Sequence, residues 1–315
     1  MTQQLKVATI TLNPAIDQTV SIPNFQAGKV NRVQQSQSDP GGKGVNVASN
    51  LSDFGLPVSV SGFLGEENTR IFERLFAQKN ISDHFVRIAG STRIGIKISD
   101  EVQQETTDIN FPGQTPNQAD IAKLLHIVDS LVPDHGWFVM AGSIPAGCPQ
   151  DIYRDLVQRV TSQGRSVALD TSGEGFRLAL PAIPTMVKPN LDELQELVGR
   201  SLPDQGEVIR AARQLLSQGM ETVVVSMGAQ GALFVEADQV ILATPPRVNV
   251  KSTVGAGDAM VSGVVAGKLL GADLAECARL GTAFSVSVIS RVGSGLPAKE
   301  VIERTKQQIT VQEIT

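Results

Sequence analysis

Asp258 follows directly on Gly255, Ala256 and Gly257 in the stretch STVGAGDAMVSGVVAG. An apolar run suited to a helix begins at the same point. Backbone N–H groups at a helix start bind anions, and glycines let a phosphate approach them closely. A carboxylate beside such a site can take the proton of a group that attacks the phosphate. The plain alternative is an acidic residue capping the helix, and the stretch alone leaves both open. It is not a dinucleotide fingerprint, because no third glycine follows in register.

A second glycine-rich stretch, DPGGKGVNVASNLSDFG, reads as a tight loop before another helical pattern. Gly42, Lys43 and Asn46 stand at its opening, where backbone, charge and amide can hold a polar ligand; a turn and helix start would use the same residues. It is not a Walker A loop, since Gly44 stands where Ser or Thr would bind Mg²⁺. In TLNPAID a strand ends at Asn13–Pro14, and Asp17 just beyond can accept hydrogen bonds from hydroxyls or cap a turn. In MVKPNLDELQEL, Lys188 and Asn190 end a strand and Glu193 stands three residues after Asn190. That is capping-box spacing. It also suits Asn190 and Glu193 to metal-bound phosphates met through water. VVVSMGAQGALFV reads as strand, glycine turn and strand, either a plain hairpin or one that presents Ser226 and Gly228 beside a nucleotide. His84, His126 and His135 lack metal-site spacing and read as structural or surface residues.

The elements that must position these residues follow from composition and period. The 315 residues are 41% apolar but only 4% aromatic, so the core must be built from Val, Ile, Leu and Ala. Continuous apolar runs at 7–12, 58–63, 137–142, 166–170, 185–190 and 222–227 read as strands buried on both faces. Helical patterns lie between them, near 45–55, 66–79, 117–130, 150–163, 205–218, 257–270 and 273–290. This alternation predicts an α/β fold with a mostly parallel sheet. Residues 14–37 and 91–111 break the rhythm: pieces such as QTVSI and KVNRVQQS, and STRIGIKISDEVQQETTDINF with a turn at Asp100–Glu101, read as strands with one wet face. They predict a small sheet set as a lid on a single domain. A net charge of −5 without a long basic block argues against nucleic acid as the main partner. No apolar stretch suits a membrane span, and Cys148 and Cys277 read as free thiols in a reducing cytoplasm.

Taken in order, these stretches resemble the PfkB family of ribokinase-like sugar kinases over nearly the whole chain, with GGKGVNVASNLSDFG and KSTVGAGDAMVSG matching its two signature regions. The resemblance implies a ribokinase-like fold, with helices on both faces of the central sheet, and ATP as co-substrate with Mg²⁺, with or without a monovalent cation. It implies Asp258 as catalytic base and Gly255, Ala256 and Gly257 as the anion hole. Asp17, Gly42, Lys43, Asn46, Arg93 and Ser143 match acceptor-binding positions, Arg93 towards the acceptor's phosphate. Lys29 matches a lid residue that in relatives reaches a neighbouring subunit's site; two residues on, where relatives place a second cation, stands Asn31, followed by Arg32. Lys188, Asn190, Glu193, Ser226, Gly228, Gly231 and Thr253 fall on the nucleotide and metal side. A homodimer formed through the lid is implied as well. TLNPAID, GGKGVNVA and AGSIPAG look like the sugar-phosphate kinases of the family, and TTDINFPG implies fructose 1-phosphate, phosphorylated at its 6-hydroxyl. Tagatose 6-phosphate and fructose 6-phosphate are the competing acceptors. A catalytically silent sugar-phosphate sensor is the reading outside enzymes, and the presence of Asp258 with its glycine turn weighs against it.

Overall fold

The computed structural model describes residues 6–251, 253–291 and 295–314. Its first strands are β1 (Lys6–Thr11), β2 (Ala15–Ser21), β3 (Gln35–Gly41), β4 (Val58–Gly65), β5 (Ser82–Asp83), β6 (Val86–Ile88), β7 (Ile94–Asp100) and β8 (Glu105–Asn110). The remainder are β9 (His135–Ala141), β10 (Ser166–Asp170), β11 (Met186–Val187), β12 (Thr222–Ser226), β13 (Ala232–Val235), β14 (Val240–Thr244) and β15 (Thr310–Glu313). The helices are α1 (Lys43–Asp53), α2 (Arg70–Gln78), α3 (Gln118–Leu131), α4 (Ile152–Thr161), α5 (Gly173–Ala179), α6 (Leu191–Val198), α7 (Gln205–Leu216), α8 (Ala256–Leu269), α9 (Leu274–Ile289) and α10 (Lys299–Gln307).

Eleven strands make one sheet in the order β15-β14-β13-β12-β11-β10-β9-β1-β4-β5, with β6 also on β4. Pairing is parallel from β5 to β12 and antiparallel from β12 to β15. Side chains alternate across it into two cores: Val139 and Ala141 enter one, Phe138 and Met140 the other. The first core is closed by α1, α2, α8, α9 and α10, the second by α3 to α7. Both faces are thus dry, which is why β4 and β9 are buried along their whole length.

Four strands form a second sheet, β3-β2-β7-β8. Its core is small: Val20, Ile22 and Ile98, backed by Phe25 and Ile96. QTVSI lies in β2 up to Ser21, but of KVNRVQQS only Gln35 and Ser36 are in a strand; β3 continues through Asp39 and Pro40 to Gly41. The expected tight loop over Pro40 to Gly44 is therefore strand end and helix start, with Gly42 alone between β3 and α1. The turn at Asp100–Glu101 forms as expected, and the Asp100 carboxylate accepts hydrogen bonds there from the N–H groups of Val102 and Gln103. The short α5 and the edge strand β15 carry too little apolar period to stand out in the sequence.

Helix α8, which begins at the glycine turn, is buried almost from end to end and packs on α9. The two backbones meet at Gly263, where a Cβ would stand 2.6 Å from Gly281 Cα and 2.7 Å from the Leu280 carbonyl oxygen. Alanine favours a helix over glycine by about 1 kcal/mol. Here the backbone contact overrides that preference, so Gly263→Ala is expected to cost about 1–3 kcal/mol by overpacking. Thermal unfolding checks this: a raised Tm would mean that the helices separate without strain.

Candidate active site

Gly255 is the residue before α8, with φ 77°, a left-handed conformation that glycine adopts without strain. Asp258 is therefore the third helical residue and does not cap the helix. Its side chain is buried, 6% exposed, and turns to Asn46 on α1, whose Nδ2 donates to Asp258 Oδ2 at 2.8 Å. The first-turn N–H groups of a helix have no intrahelical acceptor, and the Gly255–Gly257 turn sets such groups beside this carboxylate; the Ala256 N–H makes a long bond to the Thr253 carbonyl at 3.4 Å.

A second acid, absent from the expected set, completes the centre. Asp170 ends β10, 1% exposed, and its Oδ1 lies 3.2 Å from Lys43 Nζ and 3.5 Å from Lys188 Nζ. Lys188 also lies against the glycine turn: a Cβ on Gly257 would stand 3.2 Å from its Nζ. Burial works against ionisation of Asp170, but the two lysines outweigh it and hold its pKa below the ordinary carboxylate value. Its Oδ2 is buried and has no hydrogen-bond partner among the described residues. Burial also disfavours the charge on Lys43; Asp170 and Asp258 reverse this and raise its pKa. Asp258 behaves oppositely. Burial, then the charge of Asp170, pushes its pKa up to about 6, against the pull of Asn46, Lys43 and Lys188. The sequence signal for Asp170 is only an acid at the end of the apolar run SVALD.

A polar cluster lies at the end of β1. Arg93 donates from Nε to Asn13 Oδ1 at 3.1 Å and from Nη2 to the Asn13 carbonyl oxygen at 3.3 Å. Asn13 Nδ2 donates to Ser143 Oγ at 3.0 Å. Arg93 and Ser143, expected to share a pocket, are thus joined through Asn13, which sequence reasoning saw only as a strand end. Asp17 pairs with Lys97 at 2.8 Å on the second sheet, and its carboxylate covers Gly41, where a Cβ would stand 2.6 Å from Oδ2. Lys97 was also unforeseen; it is a partly exposed polar residue of β7.

The nucleotide-side candidates are simpler. Asn190 and Glu193 form a reciprocal capping box at the start of α6. Asn190 is bridged to Ser226 at the end of β12. Gly228 and Gly231 shape the turn into β13, and Thr253 is exposed ahead of the Gly255–Gly257 turn. Lys29 is exposed in the loop between β2 and β3, where it lines a cavity with Asn31 and Arg32; among the described residues no hydrogen bond or ion pair joins it to the other site residues. Of the histidines, His135 is buried and bonded to the Leu131 carbonyl and Ser59, a structural role, while His84 and His126 are exposed.

The family model for pfkB family carbohydrate kinases matches residues 4–301. The chain is similar to the 1-phosphofructokinase of Rhodobacter capsulatus, 45% identical over 309 residues covering 98% of each protein. It is 44% identical to the 1-phosphofructokinase of Xanthomonas campestris pv. campestris over 287 residues, 90% of each. Among solved structures, phosphofructokinase-2 from Escherichia coli in complex with potassium superposes with a TM-score of 0.90 at 29% identity, over 96% of this chain and 98% of that one.

The raised pKa of Asp258 has a stability consequence. The folded chain holds this proton more tightly than the unfolded chain, so the ionised carboxylate weakens folding at pH above about 6. Asp258→Asn keeps the shape and removes the charge. Its Tm is expected to exceed that of the original protein by a few degrees at pH 8, with the gap narrowing as pH falls through about 6. An equal or lower Tm at pH 8 would show that Asp258 is well solvated or fully compensated.

Proposed function

The chain belongs to the pfkB family of carbohydrate kinases, and from that premise we propose that it transfers the γ-phosphoryl group of ATP to the 6-hydroxyl of fructose 1-phosphate, giving fructose 1,6-bisphosphate and ADP. The observation that carries the chemistry is the buried Asp258 carboxylate at the first turn of α8, next to Gly255–Gly257 and bonded to Asn46. The acceptor rests on the 1-phosphofructokinase relatives.

In-line phosphoryl transfer needs positioning and charge neutralisation more than covalent catalysis. Asp258, with a pKa near 6, is ionised at neutral pH and accepts the hydroxyl proton as the sugar oxygen attacks. The N–H groups of the Gly255–Gly257 turn and the ammonium of Lys188 meet the charge on the transferring group. Lys43 holds the buried acids and faces the same space. Asp17 and Asn46 bind sugar hydroxyls, and Arg93 with Ser143 binds the acceptor's own phosphate. Among the described residues no cluster of three or more His, Cys, Asp or Glu could cage a metal. Mg²⁺ carried by ATP needs none, because it keeps water and phosphate ligands. Asn190 and Glu193, already occupied in their capping box, would meet it through water. When bound, the ion neutralises phosphate charge. The same reading places the adenosine by Ser226, Gly228, Gly231 and Thr253, and includes a monovalent cation, as in the potassium complex of the Escherichia coli relative.

The four-stranded sheet serves as the lid of a single kinase domain, excluding water from the transfer. It exposes Ile94 at 41% and Ile109 at 44%, and a homodimer joined through this sheet would cover them. Lys29 or Arg32 would then serve the neighbouring subunit's site. No described helix is long and apolar enough to cross a membrane. With the free buried thiols Cys148 and Cys277, this fits work in the cytoplasm.

ADP release with MgATP and each of fructose 1-phosphate, fructose 6-phosphate, tagatose 6-phosphate and fructose tests the proposal. The expected result is the highest kcat/KM with fructose 1-phosphate. Preference for a 6-phosphate would overturn the acceptor, and no turnover from folded, ATP-binding protein would favour a sensor. Asp258→Ala is expected to lower kcat by about 10²- to 10⁴-fold in a protein that still folds; near-normal turnover would remove Asp258 as the base. Arg93→Ala is expected to raise the KM of the sugar phosphate by about 10- to 100-fold and spare that of ATP, and Arg93→Lys to be harmful too, because lysine lacks the planar fork. Equal effects on both substrates would place Arg93 elsewhere.

A further inference from the structure

Asn13 has no assigned role, yet it makes three of the bonds that hold the cluster at the end of β1. The chemistry fixes its orientation. Arginine only donates, so the amide oxygen must face Arg93, and the amide nitrogen then faces Ser143. The consequence for each neighbour is specific. Arg93 spends Nε and one N–H of Nη2, one edge of its planar fork, on Asn13. The Nη1–Nη2 edge remains for a bidentate anion. Ser143 Oγ accepts from Asn13, so its own proton remains to be donated. Both neighbours are thereby left as donors.

The charge balance points the same way. The acid whose charge acts on Arg93 is Asp17, and Asp17 is itself paired with Lys97. Arg93 is half-buried and, among the described residues, has no carboxylate within ion-pair distance. Asn13 is also held from above. A Cβ on Gly113 would stand 2.1 Å from Asn13 Oδ1, so only a glycine lets the segment after β8 close over the amide. On the other side, the Gly142 carbonyl next to Ser143 accepts from both Tyr153 Oη at 2.9 Å and Thr171 Oγ1 at 2.8 Å.

We propose that Asn13 is the positioning residue that makes Arg93 and Ser143 a phosphate receptor, and so a determinant of selectivity for a phosphorylated acceptor. This rests on the reading above that the acceptor carries a phosphate. Aspartate at this position would keep the bond to Arg93 but accept the Ser143 proton, and would set a negative charge beside the bound phosphate. Loss of the amide and addition of the charge should therefore both harm binding while leaving Asp258 and the ATP side alone.

The test compares the original protein with Asn13→Ala, Asn13→Asp, Arg93→Ala and the Asn13→Ala/Arg93→Ala double variant. Steady-state kinetics are read against fructose 1-phosphate and MgATP, and calorimetry gives the Kd of fructose 1-phosphate without ATP. Asn13→Ala is expected to raise the KM and Kd of the sugar phosphate about 10-fold or more, with kcat and the KM of MgATP within about 3-fold. Asn13→Asp, nearly the same size and so the safer variant to fold, is expected to lose at least as much. The double variant is expected to lose clearly less than the sum of the two single losses, because part of the effect of Asn13 runs through Arg93. A fall in kcat with unchanged Kd, additive losses, or an Asn13→Asp protein that binds normally would each overturn the proposal. If the original protein prefers a different phosphorylated sugar, the acceptor assignment fails by itself and the same comparison with that ester decides the role of Asn13. If it binds no phosphorylated sugar, both readings fall.

Discussion

A carboxylate buried beside a second buried acid cannot stay ionised without nearby positive charge. Asp258 and Asp170 are in that position, and Lys43 and Lys188 are the cations that answer it. The two acids are not treated alike. Asp170 lies within ion-pair reach of both lysines and is held as an anion. Asp258 gets a neutral donor, Asn46, and keeps the higher pKa. Pairs whose environments push their pKa values apart divide their labour. Asp170 fixes the lysines, and Asp258 is left as the group whose proton affinity suits a base near neutral pH.

The fold makes that arrangement cheap to hold. Asn13 follows β1, Ser143 follows β9 by two residues, Asp170 ends β10, Lys188 follows β11 and Ser226 ends β12. These strands are parallel, so the polar groups gather at one edge of the sheet, outside its carboxyl ends. Helix α8 brings the Gly255–Gly257 turn to the same edge, and its depth is set by the glycine contact with α9. Asn46 on α1 then meets Asp258 across a separation of 212 residues. A change in the packing of α8 would therefore reach Asp258 from a distance.

The parts legible in the sequence are those with a local cause. Runs such as VATITL and TVVVSM are continuous because both faces of the sheet are dry, and β1 and β12 lie there. The glycine turn before Asp258 shows its character because a left-handed residue at a helix start needs Gly255. Local reasoning left the cap open, since an acid near a helix start looks alike as cap or as third residue; the structure makes Gly255 the cap. Asp170, Asn13 and Lys97 were not legible. Each is an ordinary polar residue at a strand end or within a strand, and its meaning lies in partners such as Lys43, 127 residues away from Asp170. KVNRVQQS reads as a short β-like piece, but the hydrogen-bonded partner of β2 begins later, at Gln35.

Asn13 also occupies a mechanical position. It lies in the short link between β1 of the main sheet and β2 of the small one. Arg93 stands just before β7, and its carbonyl accepts from Ile16 N at 2.8 Å, which ties it to β2. Asp17 and Lys97 are on β2 and β7 themselves. Any displacement of the small sheet against the main one therefore carries Arg93, Asp17 and Lys97 together, while Asp258, Asn46 and Lys188 stay with the main body. Ser143 belongs to the main body, so the Arg93–Asn13–Ser143 chain crosses the line along which the two would move. A phosphate held by both ends of that chain, as proposed above, would favour the arrangement in which they are close. On the proposed reading of the small sheet as a lid and of Arg93 and Ser143 as a phosphate receptor, acceptor binding and lid position become one equilibrium, read at the residue that links the two sheets.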